Sequence, residues 1–492
     1  MNANPAPQPT PNPPSDFLWK INENGEVVIT GLVDKKKATE VVVPSEIDGR
    51  RVAAIGVAAF FGCSSLTSIA LPDGLQNIDN IAFGECRSLT SVALPDGLQN
   101  IDNMAFRGCV SLTSIALPDG LQNIGDEAFA TCALTSVALP DGLQNIDNLA
   151  FRGCPSLTEF IVSSANKHFR VVDGVLFTAD GKTLVAYPAR NKTEYAVPNG
   201  VETIGNYAFC YCRSLTSIAL PNGLQNIGRD AFCGCESLTS IALPDGLQNI
   251  GRDAFYYCAS LTSVVFPDGL QNIGDQAFHY CASLTSVVFP DGLQTIGAEA
   301  FRDCASLTSV VFPDGLQNIG AEAFRDCASL TSIALPDGLQ TIGACAFCGC
   351  ASLTSVVFPT GLQTVGDCAF ADCKSLTSIA LPDGLQNIGE YAFSDCASLT
   401  SVEFPDGLQN IGEYAFCDCN SLTSVALPDG LQTIGACAFC GCASLTSIKF
   451  TDGLQNIGYN AFYDCPYLIL YGPAGSVAEQ YAEENNLTFQ GW

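Results

Sequence analysis

Residues 330–351 read LTSIALPDGLQTIGACAFCGCA. This stretch is one pass of a unit that recurs along most of the chain, anchored on Ala-Phe-x-x-Cys. The anchor occurs seventeen times, with Phe at 60, 83, 106, 129, 151, 209, 232, 255, 278, 301, 324, 347, 370, 393, 416, 439 and 462. The step is 23 residues, except for 22 between Phe129 and Phe151 and 58 between Phe151 and Phe209. A fixed period of about 20–50 residues marks a solenoid, in which each coil buries its apolar face only against its neighbours.

Each coil can be read from its residue types. In Leu66-Thr67-Ser68-Ile69-Ala70-Leu71, period-two alternation predicts a short strand with Ile69 and Leu71 inward and Ser68 and Ala70 outward. Pro72-Asp73-Gly74 ends the strand, Gly being read as the residue that accepts a positive φ. Leu75–Ile78 supplies a second, shorter extended segment. The i, i+3 apolar pair of Phe83 and Cys86 predicts one helical turn with both side chains in the core. The same reading assigns Phe232, Phe324, Phe347, Cys235, Cys327 and Cys350 to structural core ladders.

The ends and middle depart from the period. Residues 1–15 are rich in Pro and Asn and are expected as a disordered tail. Residues 16–56 read as an N-terminal β cap, with a hairpin at Asn24-Gly25 and extra residues at Ile47–Arg51. Coils then occupy 57–159 and 195–465. Between them, 160–194 reads as an enlarged coil carrying a β-hairpin, because VVDGVLFTADGKTLVAYP holds two strand patterns joined through Ala179-Asp180-Gly181. Residues 466–492 read as a C-terminal cap, a strand followed by a short helix opened by the Ser476…Glu479 capping box. The fold class is thus a solenoid of about seventeen coils with two caps and one inserted hairpin.

Composition narrows the function. Acidic residues number 50 against 21 basic, a net charge of −29, which repels phosphate backbones and argues against nucleic-acid binding. No apolar run is long enough for a membrane-spanning helix, so membrane insertion is not expected. The N-terminus has neither a basic n-region nor an apolar h-region, so no secretory signal is expected and the sequence alone reads as cytoplasmic. Two histidines, His168 and His279, lie far apart, and no nucleophile-elbow, phosphate-loop or metalloprotease motif occurs. No catalytic residue, cofactor or metal site is predicted.

Seventeen of the 25 cysteines are anchor residues and read as a buried ladder of small side chains. Eight are extra: Cys210, Cys233, Cys348, Cys417 and Cys440 follow Phe directly, and Cys345, Cys368 and Cys437 precede it by two. The pairs 210/233, 345/368 and 417/440 share columns in adjacent coils. Free thiols, cross-coil disulfides and zinc ligation all remain open for them. The Pro-Asp-Gly aspartates, one per coil, read as turn residues, with a calcium-binding carboxylate column as the competing reading.

Coils differ most around Ala-Phe. There Tyr256, Tyr257, His279 and Tyr280 stack in adjacent coils as the only aromatic cluster of that edge, and aromatics are favoured binding anchors. On the strand face, outward Ser and Ala give way to Val265, Val288 and Val311, a candidate contact stripe. These seven residues are the candidate ligand-binding set.

The unit Leu-x-x-Ile-x-Leu-Pro-x-x-Leu-x-x-Ile-Gly-x-x-Ala-Phe-x-x-Cys resembles the 23-residue leucine-rich repeat of BspA-like proteins. The hairpin segment ANKHFRVVDGVLFTADGKTLVAYP and the ending GSVAEQYAEENN are similar to recurrent features of that group. The resemblance implies a leucine-rich-repeat solenoid with strands lining one face. It also implies a non-enzymatic, protein-binding role, often adhesion at a cell surface. The competing expectations are a structural spacer whose length matters more than its surface, and a redox- or metal-responsive binder working through the extra cysteines.

Overall fold

The computed structural model describes residues 10–492 apart from 37, 148 and 189–191. Most of the expected Pro-rich tail therefore lies outside the described residues. Its last part belongs to the cap: Asn12 exchanges hydrogen bonds with Val42, N–H to O at 2.9 Å and Oδ1 from N–H at 2.8 Å, and Pro14–Asp16 forms a 3-10 turn. Disorder expected up to residue 15 is overridden there by the side chain of Asn12.

The cap is built from Phe17–Ile21 and Val27–Leu32, antiparallel across the turn at Gly25, which has φ 77°. Val27–Leu32 then pairs in parallel with Arg50–Ile55, and the extra residues form a small hairpin, Glu46–Ile47 against Arg50–Arg51. From here almost every coil contributes two short strands, the coil at Leu112–Leu117 keeping only the second, Asn123–Ile124. In the quoted unit they are Ser332–Ala334, with only Ile333 buried, and Thr341–Ile342. Both pair in register with the next coil, Ile333 opposite Val356 and Ile342 opposite Val365. Identical columns therefore stack along the solenoid, and one apolar side chain per column per coil closes the core.

Two local expectations are corrected. The Ala-Phe-x-x-Cys segment is not a helical turn. The residues two before and two after every anchor Phe have positive φ, for example Glu322 at 57° and Asp326 at 58°. This alternation directs successive N–H groups to different partners. Glu322, Phe324 and Asp326 donate to Ala344, Ala346 and Cys348 of the next coil at 2.7–2.8 Å. Ala323, Arg325 and Cys327 close turns within their own coil at 3.1–3.3 Å. A helical turn would satisfy only the second set and leave neighbouring coils unjoined along this side. The Gly of Pro-Asp-Gly is also not generally at positive φ. At Gly338, a Cβ would meet the carbonyl oxygen of Asp314 at 3.1 Å, so close approach of neighbouring turns selects the glycine.

The anchor phenylalanines form a ladder of parallel rings, 5.4 Å apart at Phe324–Phe347 and again at Phe347–Phe370. All are buried except Phe151. Every anchor cysteine is buried, and most donate their thiol to the anchor Phe carbonyl of the preceding coil, as Cys327 Sγ does to Phe301 O at 3.2 Å. The sulfur fills space and caps a backbone acceptor at once.

The chain divides into two compact units, Met1–Lys192 with Gly200–Arg213 and Thr193–Asn199 with Ser214–Trp492. The first holds the enlarged coil. Its hairpin, Val175–Thr178 against Thr183–Ala186, is joined by a further antiparallel strand, Phe169–Val172, across a turn with φ 50° at Asp173 and 74° at Gly174. The second unit ends in a cap. Ile469–Gly472 is followed by a helix, Val477–Asn485, with Ser476 Oγ accepting from Glu479 N–H. A final strand unforeseen in the sequence, Thr488–Gly491, pairs in parallel with Ile469–Gly472. Tyr481 of the helix stands edge-on to Phe462, 5.7 Å between centroids, and covers the last rung.

Candidate binding surface

The turn segments set the geometry of the variable edge. A residue two after the anchor Phe sits at positive φ, so its Cβ leaves the backbone toward solvent. Tyr257 and Tyr280 occupy that position, with φ 59° each, and are 46% and 40% exposed. Their rings are 5.8 Å apart at 61°, and the half-buried Tyr256 lies 6.1 Å from each. The structure thus brings the three predicted tyrosines together.

His279 departs from the expectation of a solvent-facing member. It is buried, with its ring stacked on Tyr280 at 4.5 Å. Its Nε2 lies 3.3 Å from Asp303 Oδ2 and its Nδ1 4.0 Å from Glu299 Oε2. Burial lowers its pKa below the usual histidine value, against the raising influence of the Asp303 hydrogen bond and the two carboxylate charges. The ring is a support beneath Tyr280. Around it runs a network in which Arg302 meets Glu299 at 3.1 Å and Glu322 at 2.7 Å, and Arg325 meets Glu322 at 3.1 Å. Charged side chains tied across two coils, with His279 of a third packed against them, underlie the tyrosines.

On the strand face, Val265, Val288 and Val311 are 72%, 62% and 53% exposed. Val357, one alanine-bearing coil further on, matches them at 62%. The residue after each of the first three is Phe, and Phe266, Phe289 and Phe312 form a second ring ladder behind the stripe at 5.6 and 5.8 Å.

The aromatic content of the edge is wider than the sequence reading allowed. Tyr391 and Tyr414, both two residues before an anchor Phe, stack at 4.6 Å and 2°, and Tyr459, Tyr463 and Tyr467 are strongly exposed near the C-terminal cap. Their spacing in the repeat was the available signal: Tyr391 and Tyr414 are one period apart.

Of the extra cysteines, Cys345, Cys348, Cys368, Cys417, Cys440 and Cys210 are half-buried, and Cys233 and Cys437 are buried. Cys210, Cys345, Cys348, Cys368, Cys417, Cys437 and Cys440 are free thiols. Among the described residues, no group of three or more His, Cys, Asp or Glu is arranged to hold a metal ion. Among them, too, no helix is long and apolar enough to cross a membrane.

These columns can be set beside known proteins. The family profile described as BspA type leucine rich repeat region (6 copies) matches residues 35–168, 186–307, 271–396 and 340–469. The chain belongs to the BspA-type leucine-rich repeat family. Among solved structures, a leucine-rich repeat protein from Eubacterium ventriosum is 25% identical with a TM-score of 0.61, covering 71% of this chain and 96% of its own. One from Bacteroides ovatus is 26% identical with a TM-score of 0.39, covering 97% of this chain and 98% of its own. A leucine rich cell surface protein from Faecalibacterium prausnitzii is 27% identical with a TM-score of 0.44, over 65% of this chain and 98% of its own. A search of curated proteins gives no match. The BspA-type repeat accounts for the 23-residue step and for the strands that line one face, and repeats of this kind form scaffolds that present a surface.

Proposed function

We propose that this BspA-type protein is a non-enzymatic scaffold that binds a protein ligand through the variable edge centred on Tyr257 and Tyr280. The observation that carries the reading is the exposure of these two rings, side by side over the His279–Asp303 and Arg302–Glu322 contacts. Aromatic anchors held rigid before binding lose little entropy when a partner arrives. The net charge of −29 favours a basic partner surface and disfavours nucleic acid. Adhesion at a cell surface is the role this reading suits.

The valine stripe supports a second reading, binding through the strand face, because Val265, Val288 and Val311 expose contiguous apolar surface. Capture assays with the full chain against a panel of purified cell-surface and matrix proteins separate the two. Tyr257→Ala with Tyr280→Ala should cut capture at least about tenfold, as expected for loss of a hot spot, while Val265→Ser with Val288→Ser leaves it unchanged. The reverse pattern moves the site to the strand face. Capture unaffected by either pair places the site elsewhere on the solenoid, and capture of no panel member by the parent chain supports the spacer role.

A further inference from the structure

Six of the eight cysteines outside the anchor ladder gather on two pairs of neighbouring coils in the second unit. Cys345 and Cys368 stand two residues before Phe347 and Phe370 with the same backbone, φ 55° and 52°. Their coils are clamped at this point: Cys345 N–H donates to Asp367 O at 2.8 Å, Phe347 N–H to Ala369 O at 2.9 Å, and the two rings stack at 5.4 Å. Equal backbones at fixed spacing set one side chain above the other, and the Cys345 side chain lies close enough to raise the pKa of the Cys368 thiol. Cys417 and Cys440 repeat the arrangement one residue after Phe416 and Phe439. There the rings are 5.3 Å apart, Phe416 N–H reaches Ala438 O and Asp418 N–H reaches Cys440 O at 2.8 Å, and the Cys417 thiol, set above Cys440, donates to Asp418 Oδ2 at 3.3 Å. Coil spacing falls within the Cα separation of about 4.4–6.8 Å that a disulfide spans.

The anchor ladder supplies an internal contrast. Cys350 and Cys373 sit on the same two coils as Cys345 and Cys368, at the same repeat. They are fully buried, and each thiol is spent on a backbone carbonyl, Cys350 on Phe324 O at 3.3 Å and Cys373 on Phe347 O at 3.4 Å. Spacing alone therefore does not select a reactive pair. Access to a reagent and a thiol neighbour do, and Cys345/Cys368 and Cys417/Cys440 have both.

We propose that Cys345/Cys368 and Cys417/Cys440 are two cross-coil modification sites, at which thiol–disulfide exchange with a low-molecular-weight disulfide staples neighbouring coils of the solenoid. One protein thiol gives up its proton, and the thiolate attacks a sulfur of the reagent, breaking its S–S bond and releasing one reagent thiolate. The partner protein thiol, also deprotonated, attacks the protein-bound sulfur and expels the second reagent thiolate. Two protein thiols are oxidised to one disulfide and one reagent disulfide is reduced to two thiols. Burial pushes the Cys368 thiol up to about 11 and raises those of Cys440 and Cys417, the latter further through the Asp418 carboxylate, so the exchange is slow at neutral pH and quickens as pH rises. Each bridge adds a covalent tie across the contact between two neighbouring coils, so the staple acts where a solenoid opens.

The test exposes the folded full-length chain to oxidised glutathione in mildly alkaline buffer, quenches with acid, and maps peptides by mass spectrometry. Joined peptides Cys345–Cys368 and Cys417–Cys440 are expected, with the anchor cysteines still free. Cys368→Ser should abolish the first link and spare the second, and Cys440→Ser the converse. The midpoint of thermal unfolding should rise on oxidation and return with reductant. Glutathione adducts that never resolve into a bridge, a Cys345–Cys348 bridge within one coil, bridges among anchor cysteines, or an unchanged midpoint would each overturn the proposal.

Discussion

At the scale of single residues, the repeat hides a conformational rule inside positions that look free. Cys345 and Gly349 vary from coil to coil, yet both have positive φ, as do all their equivalents. A non-glycine residue there carries a steric cost of roughly 1–2 kcal/mol, which the inter-coil hydrogen bonds offset. Gly, Asp and Tyr recur two residues after Phe under that constraint, so the exposed position of Tyr257 and Tyr280 is fixed by backbone geometry before any ligand is considered. His279 shows the opposite case, a residue that composition placed at the surface and packing drew inside. Its lowered pKa means that the folded state favours the neutral ring. The stability this gives is fully present above the unfolded value near 6.5 and is lost as pH falls through the lowered folded value. His279→Asn should therefore flatten the decline of stability below pH 6.5 in denaturant titrations, by at most about 1.4 kcal/mol per pH unit, the limit for one proton. An unchanged slope would show that protonation of His279 is not coupled to folding.

At the scale of elements, the ring ladder sets the energetics. Phe324 is fully buried between Phe301 and Phe347, at 5.3 and 5.4 Å. Phe324→Ala removes one rung and should cost about 3–5 kcal/mol, read as lost hydrogen-exchange protection centred on that coil. Phe151 is partly exposed, stacked on Phe129 on one side and edge-on to Phe160 on the other. Phe151→Ala should cost distinctly less in the same assay, and equal losses would refute the ladder as the source of the difference. Strand periodicity, inward Phe and Cys, the inserted hairpin and the capping box at Ser476 were legible because each depends on residues close in sequence. The turn conformation, the donor role of the anchor thiols and the close approach at Gly338 were not, because each is decided by the carbonyls of a neighbouring coil 23 residues away. The last strand, Thr488–Gly491, escaped for the same reason: its short alternation becomes a strand only beside Ile469–Gly472.

At the scale of the whole molecule, a solenoid of repeated coils also repeats its charges. The net charge of −29 concentrates repulsion wherever acids share a column, and the first unit holds the sharpest example. Where most coils of the second unit place Gly after the Ile of the second strand, the first unit has Asp79, Asp102 and Asp147. Burial raises the pKa of Asp79 and Asp102, and the charge of Asp102 raises that of Asp79 further. A carboxyl whose folded pKa is raised binds protons more readily in the folded state, so its penalty is fully present above the folded value. The penalty fades as pH falls toward the unfolded value of 3.8. Stability of the first unit should thus rise as pH drops from 7 into the carboxylate range, until loss of its ion pairs, such as those of Glu127 with Arg107 and Arg152, reverses the trend. Salt at neutral pH should act in the same direction by screening the column. Asp102→Asn tests the cause: the variant should be more stable than the parent at pH 7 in low salt, with the gap closing both in high salt and near pH 4. A gap independent of salt and pH would assign the effect to packing at Asp102 and remove electrostatics from the account of this edge.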